Sequence, residues 1–365
     1  MRRLWLLLLV PGCSLYFGHS GDDHPGPGPD PEPPDSAQGE ADLLARPCIR
    51  AAAVGSFLLG GSDDVFLTYV CDANGAGAII EYDSLTPTDV APGTAHADFQ
   101  QPFVRLRVTP WQGAAEQVIA FNEFDPGGWI LGANGGSSWG TTRATTDAFF
   151  MPGTYDTMYY VGDQAIHTEH FPAWDPGDPP ADLAVGKPFR YATGGAFGGT
   201  SGKDIFYVTG AAGEPHELGT LVRQADGTYA QGPTESLPAG AVAPLAVADV
   251  DGDGVADVVG LATKVFVRSS RTGTISYLDG SATMVTTGDF DGDHVSEVAY
   301  LTGDRSAIRR ATMASDGTLT SMLLVTYGGD DFAVGDLDHN GHADLAIIRD
   351  RGQQSSTLKF LRNPL

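Results

Sequence analysis

Basic residues are scarce in this chain, and their scarcity excludes one large class of partners. Its 365 residues include 21 lysines and arginines against 46 aspartates and glutamates, which gives a formal net charge of −25. A nucleic-acid backbone is bound through a basic surface, so this charge argues against nucleic acid as a partner. Long helical periodicity is also lacking after residue 50, whereas 48 glycines and 24 prolines suit short strands joined by turns. We therefore expect an all-β fold.

The usual signatures of catalysis are missing as well. We find no cysteine–histidine cluster, no phosphate-binding glycine loop and no dinucleotide-binding fingerprint. Gly136-Ser-Ser138-Trp-Gly140 has the spacing of a nucleophile motif, but no helix start follows it, as that motif requires. His167 and His170 would point to opposite faces of a strand, which predicts two surface histidines rather than a metal site. We assign no catalytic residue and expect a protein that binds rather than catalyses.

What the sequence does contain is one acidic pattern of nine residues, written three times in its last third. The copies cover residues 249–257, 289–297 and 336–344, and each lies between two short apolar runs. Oxygen-bearing side chains stand at positions 1, 3, 5 and 9, and the backbone carbonyl of position 7 can add another ligand. Hard oxygen ligands in this number predict Ca²⁺, with up to three ions bound. The predicted ligands are Asp249, Asp251, Asp253, Val255 and Asp257; Asp289, Asp291, Asp293, Val295 and Glu297; and Asp336, Asp338, Asn340, His342 and Asp344.

An EF-hand is the obvious alternative, and the flanking sequence argues against it. An EF-hand has a bidentate Glu at position 12 and a helix on each side. Position 12 is Gly260, Tyr300 and Ile347 here, and the flanks are apolar runs of strand length. The loops are therefore predicted to join the strands of β-hairpins. His294 in place of a loop glycine and Asn340 in place of an acid predict that the first loop binds calcium best.

The same frame recurs upstream in weaker form. Its position 9 falls at residues 64, 116, 156, 204, 257, 297 and 344, separated by 52, 40, 48, 53, 40 and 47 residues. This spacing predicts seven units of the size of one four-stranded blade, and the poor match at Glu116 leaves six or eight open. Position 1 of the early units is Ser56, Val108, Ala148 or Ala196, so metal is predicted only in the last three.

In these loops and their spacing, roughly residues 48–365 resemble the FG-GAP/VCBS repeat proteins, whose relatives include the N-terminal propellers of integrin α subunits. The resemblance implies an all-β propeller over residues 41–365, with seven four-stranded blades and calcium loops in the last three. It further implies a recognition module that binds a protein or a glycan through the face opposite the calcium loops. Related propellers also occur as polysaccharide lyases or as modules of hydrolases, and a structural subunit of an envelope complex is a third possibility.

The N-terminal residues predict export. Arg2 and Arg3 precede the apolar run 4–10, which is too short to span a bilayer and suits a secretory signal. Residues 1–12 resemble a bacterial lipoprotein signal peptide with Cys13 as the lipidated residue; ordinary secretion or a retained anchor is the alternative. Residues 13–40, rich in proline and glycine, predict an extended tether. We expect a lipoprotein of the outer membrane or cell surface that contacts the membrane only through Cys13.

Two further predictions concern the start of the propeller. Cys48 and Cys71, in an oxidising compartment, are predicted to form a disulfide. The last unit has room for only three strands, near 332–335, 344–348 and 357–362. Its fourth strand is therefore predicted to come from residues 43–50, which would pair the two ends of the propeller and cover its edge strands.

Overall fold

The chain forms β-strands throughout the part that the structure describes. This structure is a computed structural model, and it describes residues 41–45, 48–55, 64–70, 77–82, 95–99, 105–110, 116–121, 128–132, 135–139, 145–151, 154–162, 164–170, 182–195, 197, 203–211, 214–338, 340–353 and 355–362. Within these ranges every regular element is a strand, as expected from the sequence. The first half contains β1 (Ala41–Ala45), β2 (Ile49–Gly55), β3 (Asp64–Val70), β4 (Gly77–Tyr82), β5 (Ala95–Phe99), β6 (Arg105–Pro110), β7 (Glu116–Phe121), β8 (Gly128–Gly132), β9 (Gly135–Trp139), β10 (Asp147–Met151), β11 (Thr154–Val161), β12 (Ile166–His170) and β13 (Asp182–Leu183). The second half contains β14 (Phe189–Gly195), β15 (Asp204–Thr209), β16 (His216–Arg223), β17 (Tyr229–Leu237), β18 (Ala246–Ala248), β19 (Asp257–Ala262), β20 (Lys264–Arg268), β21 (Ile275–Tyr277), β22 (Ala282–Gly288), β23 (Glu297–Thr302), β24 (Ile308–Met313), β25 (Leu319–Val325), β26 (Asp331–Gly335), β27 (Asp344–Arg349) and β28 (Thr357–Leu361).

The described strands form seven antiparallel sheets of four strands each. In chain order, sheet 1 contains β2–β5, sheet 2 β6–β9, sheet 3 β10–β13, sheet 4 β14–β17, sheet 5 β18–β21 and sheet 6 β22–β25. Sheet 7 has the order β1-β28-β27-β26, so a strand from the start of the described chain pairs with one from its end. The pairing of the two ends was predicted, but Ala41–Ala45 supplies the strand, whereas Ile49 already begins β2 in sheet 1.

Consecutive sheets contact one another through their first strands. β2 contacts β6, β6 contacts β10, β10 contacts β14, and β14 contacts β18. The series continues from β18 to β22 and from β22 to β26, and β26 then contacts β2. The first strands of the seven sheets therefore form one closed cycle of contacts.

The hydrophobic core is divided into layers between neighbouring sheets. One buried cluster joins sheets 5 and 6 through residues such as Val259 and Val285, and another joins sheets 6 and 7 through Leu301 and Phe332. The second strands have this apolar environment on both faces, so β15 and β19 are buried along their whole length. This explains why they are continuous apolar runs rather than alternating ones. The fourth strand β17, by contrast, is largely exposed.

Candidate metal centres

The three acidic loops connect the first and second strands of sheets 5, 6 and 7. Position 1 of each loop directly follows β18, β22 or β26, and position 9 is the first residue of β19, β23 or β27. The prediction that these loops lie within β-hairpins is thus confirmed. The same relation holds upstream, because Asp64, Glu116 and Asp204 begin β3, β7 and β15, although Asp156 lies inside β11.

Each loop gathers three acidic side chains that could hold one metal ion. The clustered residues are those of positions 1, 3 and 9, and in each cluster one ligand atom per residue lies within 4.8 Å of the others. Position 9 is the buried end of the cluster, since Asp257 and Asp344 are 0 % exposed and Glu297 is 3 % exposed. The three clusters are Asp249, Asp251 and Asp257; Asp289, Asp291 and Glu297; and Asp336, Asp338 and Asp344.

The aspartates at position 5 of the first two loops do not join these clusters. Asp253 and Asp293 lie outside them, and their Oδ1 atoms each accept a hydrogen bond of 2.8 Å from the backbone N–H of position 7. Asn340 accepts the corresponding bond from His342 at 2.7 Å. These side chains shape the turn in this structure. Whether they also serve as ligands, together with the carbonyls of Val255, Val295 and His342, stays a prediction.

Backbone N–H groups hold the clustered carboxylates in place. In the first loop Asp249 accepts hydrogen bonds from Gly252 and Gly254 at 2.9 and 2.8 Å, and Asp257 accepts one from Val250 at 3.1 Å. The other loops repeat the bond from position 2 to position 9, with Phe290 N–H donating to Glu297 at 2.8 Å and Leu337 N–H to Asp344 at 2.8 Å. The ligands are therefore fixed by local turn geometry.

The turn also requires an unusual backbone conformation at position 6. Gly254 and Gly341 have φ angles of 81° and 84°, in the left-handed region that glycine enters without a steric cost. His294 has a φ of 71° at the same position of the second loop. A histidine is strained in this conformation, which gives a physical reason for the predicted weaker calcium binding of this loop.

Burial of the position 9 carboxylates makes their negative charge costly. Burial raises the pKa of Asp257 to about 6, with smaller contributions from the charges of Asp251 and Asp253. Burial likewise raises the pKa of Glu297, with a second contribution from Asp291. A bound cation would offset this cost, because it favours the ionised carboxylates. All the clustered donors are oxygens, which fits a hard divalent cation rather than a soft one.

An arginine that the sequence did not reveal lies against the second cluster. Arg310, on β24, donates from Nη1 to Glu297 Oε1 at 2.7 Å and to Asp291 Oδ2 at 3.2 Å. Positions 3 and 9 of the first cluster have neutral partners instead. Ser269 donates its hydroxyl to Asp251, and Ser270 donates its backbone N–H to Asp257. Only the pairing of the third strand with the second brings Arg310 here, so the loop pattern carries no signal for it.

The three loops also contact one another. Ser296 N–H of the second loop donates to the carbonyl of Asp249 in the first at 2.9 Å, and Ala343 N–H of the third donates to that of Asp289 at 2.6 Å. His342 Nδ1 lies 3.2 Å from the carbonyl oxygen of Phe290. Position 8 of each later loop thus donates to position 1 of the preceding loop, and in the third loop position 7 also lies against the start of the preceding loop.

Two other motifs of the sequence, at His167 and at Ser138, lie on described strands. The prediction that His167 is a surface residue is wrong: it is 5 % exposed, stacks on Tyr160 and has Nδ1 2.5 Å from Asp182 Oδ1. Asp182 lies on β13, whose pairing with β12 the sequence did not predict, and this pairing covers the histidine. Ser138 lies within strand β9 and not at the strand-to-helix turn that the nucleophile motif requires.

The predicted lipidation and disulfide cannot be followed to their partners in the structure. Cys13 and Cys71 lie outside the described residues, and Cys48 is buried, 8 % exposed. Both assignments therefore stay predictions. Among the described residues we find no helix with the length and apolar character needed to span a bilayer.

Comparison with known proteins adds no assignment. No model of a known protein family matches this chain, and no curated protein matches its sequence significantly. The function must therefore be argued from the sheets, the acidic loops and the sequence patterns themselves.

Proposed function

We propose that this protein is a calcium-stabilised β-propeller of seven blades, of the FG-GAP/VCBS type, that acts as a recognition module. The observation that carries the proposal is the regular placement of three acidic clusters between the first and second strands of consecutive four-stranded sheets. Seven sheets whose first strands contact each other in a closed cycle support the propeller. The strand from the chain start in sheet 7 supports closure of the ring.

Calcium is the proposed ion because of the donor set. Each cluster offers three carboxylates, and the side chain of position 5 and the carbonyl of position 7 follow in the same turn. Ca²⁺ accepts six to eight oxygen ligands with flexible geometry, whereas Mg²⁺ demands a near-ideal octahedron. The ion would neutralise carboxylates that are buried together and thereby stiffen the hairpin turn, which couples metal binding to folding.

Recognition of a protein or glycan is the proposed activity, at the face opposite the calcium loops. It is supported by the resemblance of the loops to those of the integrin-type propellers and by a rigid scaffold that presents other loops. The N-terminal signal, Cys13 and the tether support display of this module on a bacterial surface, anchored through the lipid. A polysaccharide-acting enzyme and an envelope subunit are alternatives that no described group of side chains favours.

Thermal unfolding of the purified protein tests the calcium assignment. Millimolar Ca²⁺ should raise the melting temperature strongly above that in excess EGTA, because an ion at about 100 times its Kd stabilises by about 2.7 kcal/mol per site. Replacing Asp251, Asp291 and Asp338 by Asn should abolish most of this rise. The matched control replaces Asp226, Asp279 and Asp316, three exposed aspartates outside the loops, and should retain it.

Two results would count against the proposal. Equal melting temperatures in calcium and EGTA would remove calcium from it, and a rise that survives the triple loop variant would place the ion elsewhere. The recognition activity is then tested by retention of surface proteins and glycans on the immobilised protein in calcium. If no ligand is retained in calcium, the recognition module is rejected.

A further inference from the structure

Asn340 in the third acidic loop is followed directly by a glycine, and this pair is open to solvent. Asn340 is exposed, and a Cβ atom built on Gly341 would meet no atom within 4 Å. The side-chain carbonyl of an asparagine can be attacked by the backbone nitrogen of the next residue. A glycine hinders this attack least, because it has no side chain. The other two loops have an aspartate at position 5, so the third alone among the loops contains this pair.

The backbone nitrogen that would attack is held by a carboxylate. Gly341 N–H donates to Asp336 Oδ2 at 2.9 Å, which is within the hydrogen-bond reach that a general base needs. The other oxygen of this carboxylate, Oδ1, accepts the N–H of Asn340 at 3.1 Å. Two consecutive backbone N–H groups therefore fix the carboxylate beside the nitrogen of Gly341, where it can take up the proton as that nitrogen attacks.

The carbonyl group that would be attacked is held and polarised as well. Asn340 Oδ1 accepts the backbone N–H of His342 at 2.7 Å, so the side chain folds back over the peptide bond that follows it. The attack places negative charge on this oxygen, and a backbone N–H at this distance is the donor that stabilises such a charge. The base, the attacking nitrogen and the stabilising donor thus lie within one short turn.

We infer that Asn340 is a self-modification site, converted into an aspartate by the backbone nitrogen of Gly341 with Asp336 as the base. A bond forms between this nitrogen and Cγ of Asn340. The bond from Cγ to the amide nitrogen breaks, and ammonia leaves with the proton that Asp336 took up. The resulting succinimide ring is opened by water, which yields aspartate or, when the other carbonyl is attacked, isoaspartate.

The first two loops show that an aspartate fits at this position. Asp253 and Asp293 each accept the N–H of position 7 at 2.8 Å, as Asn340 does at 2.7 Å in the third loop. The conversion therefore gives the third loop the acidic side chain that the other two already have at position 5. Under the proposed function, on which this consequence alone rests, the added charge raises the calcium affinity of the third loop.

Incubation of the purified protein in EGTA, below its melting temperature there, tests the inference without depending on bound calcium. Mass spectrometry of the peptide that contains Asn340 follows the conversion, and chromatography separates its aspartate and isoaspartate products. Asn340 should convert about tenfold faster in the folded protein than in concentrated urea at the same temperature, since unfolding separates the base from the nitrogen. Equal or slower conversion in the folded protein overturns the inference.

A pair of variants identifies the base. Asp336→Asn keeps the size of the side chain and removes the carboxylate, so it should slow the conversion by about tenfold. Asp304→Asn removes the same charge from the exposed turn between β23 and β24 and should leave the rate unchanged. The inference is also overturned if Asp336→Asn converts at the rate of the unmodified protein. If Asp336→Asn does not fold, the comparison with urea decides alone.

Discussion

At the scale of single residues, Arg310 distinguishes the second acidic loop from the first. Its side chain is 13 % exposed and its guanidinium already contacts Asp291 and Glu297, so a bound metal ion must displace the guanidinium or be repelled by it. Arg310→Met should therefore raise the calcium affinity of this loop by about tenfold, which corresponds to about 1.4 kcal/mol. Calorimetry measures this in a background with Asp251→Asn and Asp338→Asn, where the second loop is the intact one.

The neighbouring residue supplies the control. Arg309 has the same charge but points to the other face of β24, where its Nε donates to Ser321 Oγ at 2.9 Å. Arg309→Met should leave the calcium affinity unchanged. Equal affinities in the Arg310 variant and its parent would mean that the guanidinium does not compete with the ion.

At the scale of elements, contacts between loops predict that calcium binding is cooperative between neighbours. The bonds from Ser296 to Asp249 and from Ala343 to Asp289 join the first loop to the second and the second to the third. An ion that orders one loop therefore orders the surface on which the next one lies, and such coupling is reciprocal. Asp338→Ala, which leaves the adjacent first and second loops, should give a Hill coefficient above one.

The matched variant leaves two loops that are not adjacent. Asp291→Ala retains the first and third loops, for which no direct hydrogen bond is described, and its two sites should bind independently. Cooperative binding in this variant, or independent binding in Asp338→Ala, would contradict the coupling. A calcium titration monitored by calorimetry distinguishes cooperative from independent binding in the two variants.

The sequence could predict contacts within one turn, but it could not predict contacts between strands. The acidic clusters were predictable because positions 1, 3 and 9 meet within one short turn, where local geometry decides the contacts. Arg310 and the buried His167 were not, because each depends on the register of a neighbouring strand. The strand that completes sheet 7 was foreseen from the missing fourth strand, but its bounds were wrong by several residues, since residues 41–50 carry no clear strand boundary.

At the scale of the whole molecule, the proposed ring is completed by β1, and its removal should be costly. β1 pairs with β28 along Ala41–Ala45, and the chain that follows is held where Cys48 N–H donates to Gln353 O at 2.6 Å. Deleting residues 41–45 removes several backbone hydrogen bonds, worth about 2–5 kcal/mol together, and exposes the edge of β28 to pairing with another chain. The variant should melt at a lower temperature, measured by calorimetry. It should also aggregate at temperatures at which the unmodified protein stays folded, measured by light scattering. Deleting residues 25–29 from the predicted tether shortens the chain equally and should change neither property; if both deletions behave alike, β1 does not stabilise the ring.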